Sequence, residues 1–186
     1  ITTIGLDHQS FLGNTVEEIA ATKMRSADNK MLIGYQVFNS VLKTAYKVKE
    51  QILKERNKNI EIIEVKEFDK YELNNKFASY LKRNLHLVIE CLHELKIPID
   101  LKLFDDVPLF GRCQKILPNV TIDVGHNPLA AHVIAKEFEG KKITLIYNSY
   151  KDKDYEEVLK ILKPIISKII IMPLDDKRIV EKNSLL

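Results

Sequence analysis

Apolar and polar positions alternate in two different rhythms, and the change of rhythm divides the chain. Residues 1–6 read as a strand, followed by Asp7-His8 and a connector over 9–13. Thr15-Val16-Glu17-Glu18 then fits a capping box, in which hydroxyl and carboxylate satisfy the first free N–H groups of a helix. Val16, Ile19, Ala20, Lys23 and Ala27 follow the three- and four-residue steps of one helical stripe. Lys23 is therefore expected on the inward face, where an ammonium is costly unless it snorkels or meets a partner. Residues 31–34 make a short strand, and a long helix is expected from Gln36, with its stripe at Phe38, Val41, Leu42, Ala45, Val48 and Ile52. Its basic end, 54–58, suits the helix dipole. Ile60, Ile62, Ile63 and Val65 form a further strand, and 67–75 a polar connector. A helix over about 76–95 carries its stripe at Phe77, Leu81, Leu85, Val88, Leu92 and Leu95. Asn84 points near that stripe, and an inward asparagine needs hydrogen-bond partners. Lys96-Ile97-Pro98 ends this helix, and the segment to Leu109 reads as an interdomain connector.

Beyond it the rhythm becomes strand (120–124), helix (128–139), strand (142–148), helix (153–163) and strand (168–172). Such alternation predicts a parallel, Rossmann-like sheet. There is no G-x-G-x-x-G, so it is no dinucleotide site by that signature. The fold class is α/β, with domains expected over 1–105 and 106–186. At the first strand end, Asp123 breaks an apolar run that stops at Gly125-His126-Asn127-Pro128. Pro128 is suited to the first helical position, and ligands of open α/β sheets sit at strand carboxyl ends. The plainer alternative is that Asp123 and Asn127 only shape a turn. Polar loops also follow the second strand, at 150–154, and the third, at 173–178.

Composition narrows the function classes. Twenty-nine basic and 26 acidic residues leave a net charge of +3 with the signs interspersed; nucleic-acid binding calls for a clustered basic face. No apolar run approaches the roughly 18–20 residues of a membrane span, and no signal-peptide pattern is present. Cys91 and Cys113 show no C-x-x-C spacing and read as free thiols of a reducing compartment. The expectation is a cytoplasmic, monomeric protein without nucleic-acid or membrane partners. The abrupt first and last residues suggest a fragment of a longer chain.

Gly111-Arg112, followed by Asp123-x-x-His126-Asn127-Pro128, resembles the opening of the carboxy-terminal domain of folylpolyglutamate synthase and of bifunctional dihydrofolate synthase/folylpolyglutamate synthase. The wider Mur ligase superfamily shares parts of this pattern. Upstream, Gly5-x-Asp7-His8 with a lysine fifteen residues after the histidine, Lys23, is similar to the same family. So are Asp152-Lys153-Asp154 and Arg178 in the later loops. Two departures stand out: Met24-Arg25-Ser26 replace the family's Ala-Gly-Ile after the lysine, and its Gly-x-His-Gln is absent before Asn84.

The resemblance implies the remainder of a P-loop-type ATPase domain followed by a Rossmann-like carboxy-terminal ligase domain. It implies an ATP- and Mg2+-dependent ligase that joins L-glutamate to dihydropteroate or a folate through an acyl phosphate. On that analogy His8 binds the metal, and Lys23 is carbamylated beside metal and phosphates. Asn84 contacts the nucleotide, Arg112 clamps a phosphate, Asp123 holds the ribose, and His126 lies near the phosphates or the incoming glutamate. The site would lie in an interdomain cleft that closes during turnover. The six glycines never form G-x-x-x-x-G-K-[ST], so the chain alone is expected to be inactive and the phosphate loop to lie upstream. Two alternatives stay open: a Mur-type amino-acid ligase of peptidoglycan precursors, and a non-catalytic nucleotide-binding module.

Overall fold

β1 and β2 run parallel in the first unit. β1 is Lys30–Ile33 and β2 is Glu61–Glu64, paired in register from Lys30 opposite Glu61 to Ile33 opposite Glu64. On the other side of β1, the Ile1 amino group donates to the Leu32 carbonyl at 2.6 Å, and the Gly34 N–H donates to the Ile1 carbonyl at 2.9 Å. That pattern is parallel pairing, but it is confined to Ile1, and the strand expected over 1–6 does not form as a regular strand. The computed structural model describes residues 1–66, 71, 73, 77–104 and 109–185. The chain divides into two compact units, Ile1–Val107 and Pro108–Leu186. Most of the connector expected over 67–75, and residues 105–108, lie outside the described residues.

Helices α1 (Gln9–Leu12), α2 (Val16–Met24), α3 (Asn39–Arg56) and α4 (Ser79–Glu94) lie in the first unit, followed by a 3-10 turn at Leu101–Phe104. The capping box of α2 is present in full: Glu18 N–H donates to Thr15 Oγ1, and the Glu18 carboxylate accepts from the Thr15 N–H. Ile19, Ala20 and Met24 of α2 meet Val41, Ala45, Val48 and Ile52 of α3 in one core with Ile4, Ile33 and Ile60. The long helix starts at Asn39, later than the expected Gln36. Gln36 is held in the connector because its side chain accepts from the Ile4 N–H at 2.9 Å and donates to the Thr2 carbonyl at 3.0 Å. It staples the opening segment to the end of β1.

α4 departs from its expected stripe. Leu81, His86, Leu87 and Ile89 are buried, whereas Val88 is 46% and Leu95 68% exposed. The helix is covered on more than one side, so a single seam does not describe it. Leu87 packs at Gly34, where an added Cβ would come within 3.0 Å of Leu87 Cδ2. His86 Nδ1 lies 2.8 Å from the Lys82 carbonyl, and its Nε2 accepts from the Tyr71 N–H at 3.3 Å. A carbonyl can only accept and an amide N–H only donate, which assigns the proton to Nδ1.

The second unit contains two small sheets. β5 (Ile143–Tyr147) and β6 (Ile166–Ile171) are parallel, with α5 (Pro128–Glu137) and α6 (Tyr155–Leu162) over one face. Ala131, Val158, Leu162 and Ile165 form the core between them. The strand expected over 120–124 is β4, Val120–Ile122, and it does not join β5 and β6 as a third parallel strand. It pairs antiparallel with β3 (Gln114–Leu117), a strand not expected from the pattern. Leu117 faces Val120 across Pro118-Asn119, and a two-residue loop makes the local partner the nearest one.

Candidate functional site

The joint between β4 and α5 is organised by one carboxylate. Asp123 Oδ2 accepts from the Cys113 N–H at 2.7 Å, and Oδ1 from the Gly125 N–H at 2.6 Å. The Val124 N–H donates to the Gly111 carbonyl at 2.8 Å, and the Gly111 N–H to Gln114 Oε1 at 3.2 Å. The turn carrying Arg112 is thus tied to the strand end at two points, through Cys113 and through Gly111. Gly111 sits at φ 68° and Cys113 at φ 45°, both left-handed, on either side of Arg112. A Cβ at Gly111 would meet Val124 Cγ1 at 2.6 Å. Gly125 is equally constrained, since a Cβ there would lie 2.8 Å from Asp123 Oδ1 and 2.9 Å from Ala130 Cβ.

Asn127 caps α5 by accepting from the Ala130 N–H at 2.9 Å, with Pro128 at the first helical position. His126 is exposed, and its Nδ1 lies 3.1 Å from the Val124 carbonyl. Because a carbonyl only accepts, Nδ1 carries the proton of the neutral ring and Nε2 is its basic nitrogen. Arg112 is exposed. The arrangement sets an exposed cation and an imidazole on a hydrogen-bonded loop, which suits an anionic substrate with a proton to remove.

The other two loops of this unit meet each other. Tyr150 bridges to Ile179, the Lys151 N–H donates to the Arg178 carbonyl at 2.8 Å, and the Arg178 guanidinium lies 4.3 Å above the Tyr150 ring. The Arg178 N–H and guanidinium hold the Asp176 carboxyl below the usual aspartate range, and Asp176 raises the arginine in turn. A cleft of about 310 Å³ opens here, lined by Asn148, Lys151, Pro173, Asp176, Lys177 and Glu181 among others. Asp154, the last residue of Asp152-Lys153-Asp154, caps α6 by accepting from the Glu157 N–H at 3.2 Å. Lys153 pairs with Asp152 at 3.4 Å.

In the first unit the candidate residues are less constrained. His8 is the left-handed N-cap of α1, at φ 50°, with its side chain 57% exposed and Nε2 3.9 Å from Asp7 Oδ2. Lys23 does not face inward as expected; it is exposed, while its neighbour Met24 is fully buried. The stripe argument assumed a helix continuing toward Ala27, but α2 ends at Met24. In the last turn a long side chain can pass beyond the helix end into water. Asn84 is half-buried on α4, beside Arg83, whose guanidinium stacks 3.9 Å from the centroid of Tyr35 just after β1. Among the described residues, no three His, Cys, Asp or Glu side chains gather as a metal site. Asp7 and His8 therefore offer at most one side of one.

No protein-family model matches the chain. A curated dihydrofolate synthase/folylpolyglutamate synthase of Haemophilus influenzae is 28% identical over 208 aligned positions, covering 89% of this chain and 46% of that protein. The folylpolyglutamate synthetase of Helicobacter pylori, a crystal structure, is 30% identical over 99% of this chain and 48% of its own, with a TM-score of 0.57. The chain is similar in sequence and in fold to folylpolyglutamate synthases. E. coli FolC in complex with DHPP and ADP superposes with a TM-score of 0.80 at 19% identity, over 99% of this chain and 49% of its own. At that identity the likeness establishes the fold. The chain spans about half the length of the folylpolyglutamate synthases it matches.

The residues that sequence reasoning missed are the ones that build the Arg112 turn. Gln114 and the Cys113 N–H do so through bonds made only once the hairpin forms. A glycine before the arginine and another two residues after the aspartate were the available signal.

Proposed function

We propose that this chain is part of an ATP-dependent ligase that joins L-glutamate to dihydropteroate or a folate. The observation that carries this reading is likeness to folylpolyglutamate synthases over 89% of the chain in sequence and 99% in structure. The strand–turn–helix joint around Arg112, Asp123 and His126 supports it from the chemistry of its side chains.

In the proposed reaction the substrate carboxylate takes the γ-phosphoryl group, and the glutamate amine displaces phosphate from the acyl phosphate, leaving an amide. ATP would supply that phosphoryl group, and Mg2+ would neutralise charge on its oxygens. Catalysis of such a transfer is mostly positioning and charge neutralisation. Arg112 contributes a planar fork that matches phosphoryl geometry. The glutamate ammonium must lose a proton before it can attack, and His126 Nε2 is a basic nitrogen able to take it. In the first unit, Asp7 and His8 would hold one side of the metal. Asn84 would contact the nucleotide. Lys23, exposed in a last helical turn, would offer an amine for carbamylation.

The test is phosphate release by the full-length protein with ATP, Mg2+, L-glutamate and either dihydropteroate or tetrahydrofolate. Release should require both the amino acid and a pterin. Release only with a peptidoglycan precursor would move the protein to the Mur branch. A folded protein that binds ATP but releases nothing with any acceptor would sink the enzymatic reading.

A further inference from the structure

We propose that Asp123 is a positioning residue for Arg112: its carboxylate holds the Gly111-Arg112-Cys113 turn on the end of β4 and so sets where the guanidinium can meet a phosphoryl oxygen. The proposal rests on the ligase reading for its phosphate, and on geometry alone for its mechanics. It assigns Asp123 an action through another residue in place of direct contact with the nucleotide.

Three observations converge on the same joint. The first is the pair of short bonds, 2.7 Å from the Cys113 N–H and 2.6 Å from the Gly125 N–H, one on each carboxylate oxygen. An ionised acceptor makes such bonds roughly twice as strong as neutral ones. The second is strain. Cys113 holds a left-handed φ of 45°, which a side chain with a Cβ adopts only when its surroundings over-determine it. The N–H of that same residue is the one Asp123 captures. The third is the close approach at Gly125, where Asp123 Oδ1 occupies the space a Cβ would need.

Arg112 lies between two left-handed residues, so its backbone direction follows from theirs. Its own N–H donates to the Leu109 carbonyl at 3.2 Å, and its side chain is exposed. The cation is therefore exposed at its tip and held at its root. A carboxylate has about four lone-pair sites, and direct contact with a ribose hydroxyl is the competing role. The two roles predict different couplings. A positioning residue acts only while Arg112 is present; a direct ligand acts whether it is or not.

The experiment uses the full-length protein with Cys91→Ser, so that of this chain's two thiols Cys113 remains. Maleimide labelling of Cys113 reads the turn, and ATP titration reads binding. Asp123→Asn keeps the shape but can satisfy only one of the two N–H donors. It should raise the Cys113 labelling rate several-fold and weaken ATP binding by about tenfold, the size expected for one charge-assisted bond. Arg112→Ala should weaken ATP binding by a similar factor with labelling unchanged. The double variant should bind within about twofold of Arg112→Ala alone, since coupled residues are not additive. Losses that multiply in the double variant, or unchanged labelling in Asp123→Asn, would overturn the proposal. If Asp123→Asn fails to fold, hydrogen exchange of the wild-type protein decides: the Cys113 and Gly125 amides should both be protected, and free exchange of either would refute the bonds. A wild-type protein that binds no ATP would remove the ligase reading, while labelling and amide protection would still decide the turn.

Discussion

The two units each carry three of the residues singled out for chemistry, and they hold them in opposite ways. In the second unit, Asp123 and Asn127 spend their side chains on backbone N–H groups within twelve residues of themselves, and Arg112 and His126 ride on the loop they fix. In the first, His8 and Lys23 are exposed on short helices, and neither side chain fixes the backbone beside it beyond the Asp7–His8 approach. Polar residues at a strand end can thus be scaffold and site at once, or site alone. The distinction decides what a substitution does to stability, which separates the two kinds.

The largest loss of stability should come from Asp123→Ala. It removes two carboxylate bonds and leaves the Cys113 and Gly125 N–H groups without that acceptor, at a cost of about 1.5–3 kcal/mol. Urea unfolding of the second unit, followed by the near-ultraviolet signal of its tyrosines, measures it. A loss below about 0.5 kcal/mol would mean that the joint is not organised by this carboxylate. Gly125→Ala attacks the same joint from the other side. Its Cβ would come within 3.0 Å of Asp123 Oδ1, Ala130 Cβ and Ile134 Cδ1, and overpacking of this kind costs about 1–3 kcal/mol. The loss should be less than additive with Asp123→Ala, because the substituted side chain withdraws one of the clashing atoms.

Much of this contrast was legible before any coordinates, and the illegible part has a physical pattern. The capping box at Thr15 and Glu18 and the Asn127-Pro128 helix start were readable because their bonds close within a few residues. β3 was not, since nothing in Gln114-Lys115-Ile116-Leu117 marks a strand until the Pro118-Asn119 loop gives it a partner. Lys23 was placed inward by counting a stripe through a helix that ends one residue later. The α4 stripe failed for a related reason: Leu87 is buried against the end of β1 and His86 against Tyr71, contacts that a one-sided pattern does not contain.

Asn127→Ala should cost about 1 kcal/mol, the ordinary value of a lost N-cap, and should act on the second unit as Asp123→Ala does. In the first unit the sign reverses. His8 holds a left-handed conformation as the N-cap of α1 with no side-chain cap bond. His8→Gly relieves that strain and should gain up to about 1 kcal/mol, less what glycine loses in unfolded-chain entropy. The same change should weaken Mg2+-dependent activity of the full-length protein. A variant that becomes both more stable and less active would mark His8 as a residue kept for chemistry; loss of stability instead would show that its ring contributes to the fold.

Lys23→Ala should have the smallest effect on stability and is the sharpest test of the first unit. The side chain is exposed, alanine is the better helix former, and only a modest dipole contribution in the last turn of α2 is lost. The net change should lie within about 0.5 kcal/mol. Under the proposed function the full-length variant should nevertheless lose about 10²-fold in turnover, the scale of removing one charge-stabilising group. Lys23→Arg separates the two ways a cation could serve. If Lys23 acts as a plain positive charge beside phosphate, arginine should restore most of the activity. If it acts after taking up carbon dioxide on its amine, arginine should fail as alanine does, because its guanidinium stays protonated and carries no free amine. Rescue by arginine would end the carbamylation reading and leave the lysine a phosphate contact. Full activity in Lys23→Ala would leave it a solvated residue at a helix end and confine the chemistry of this chain to the turn that Asp123 holds.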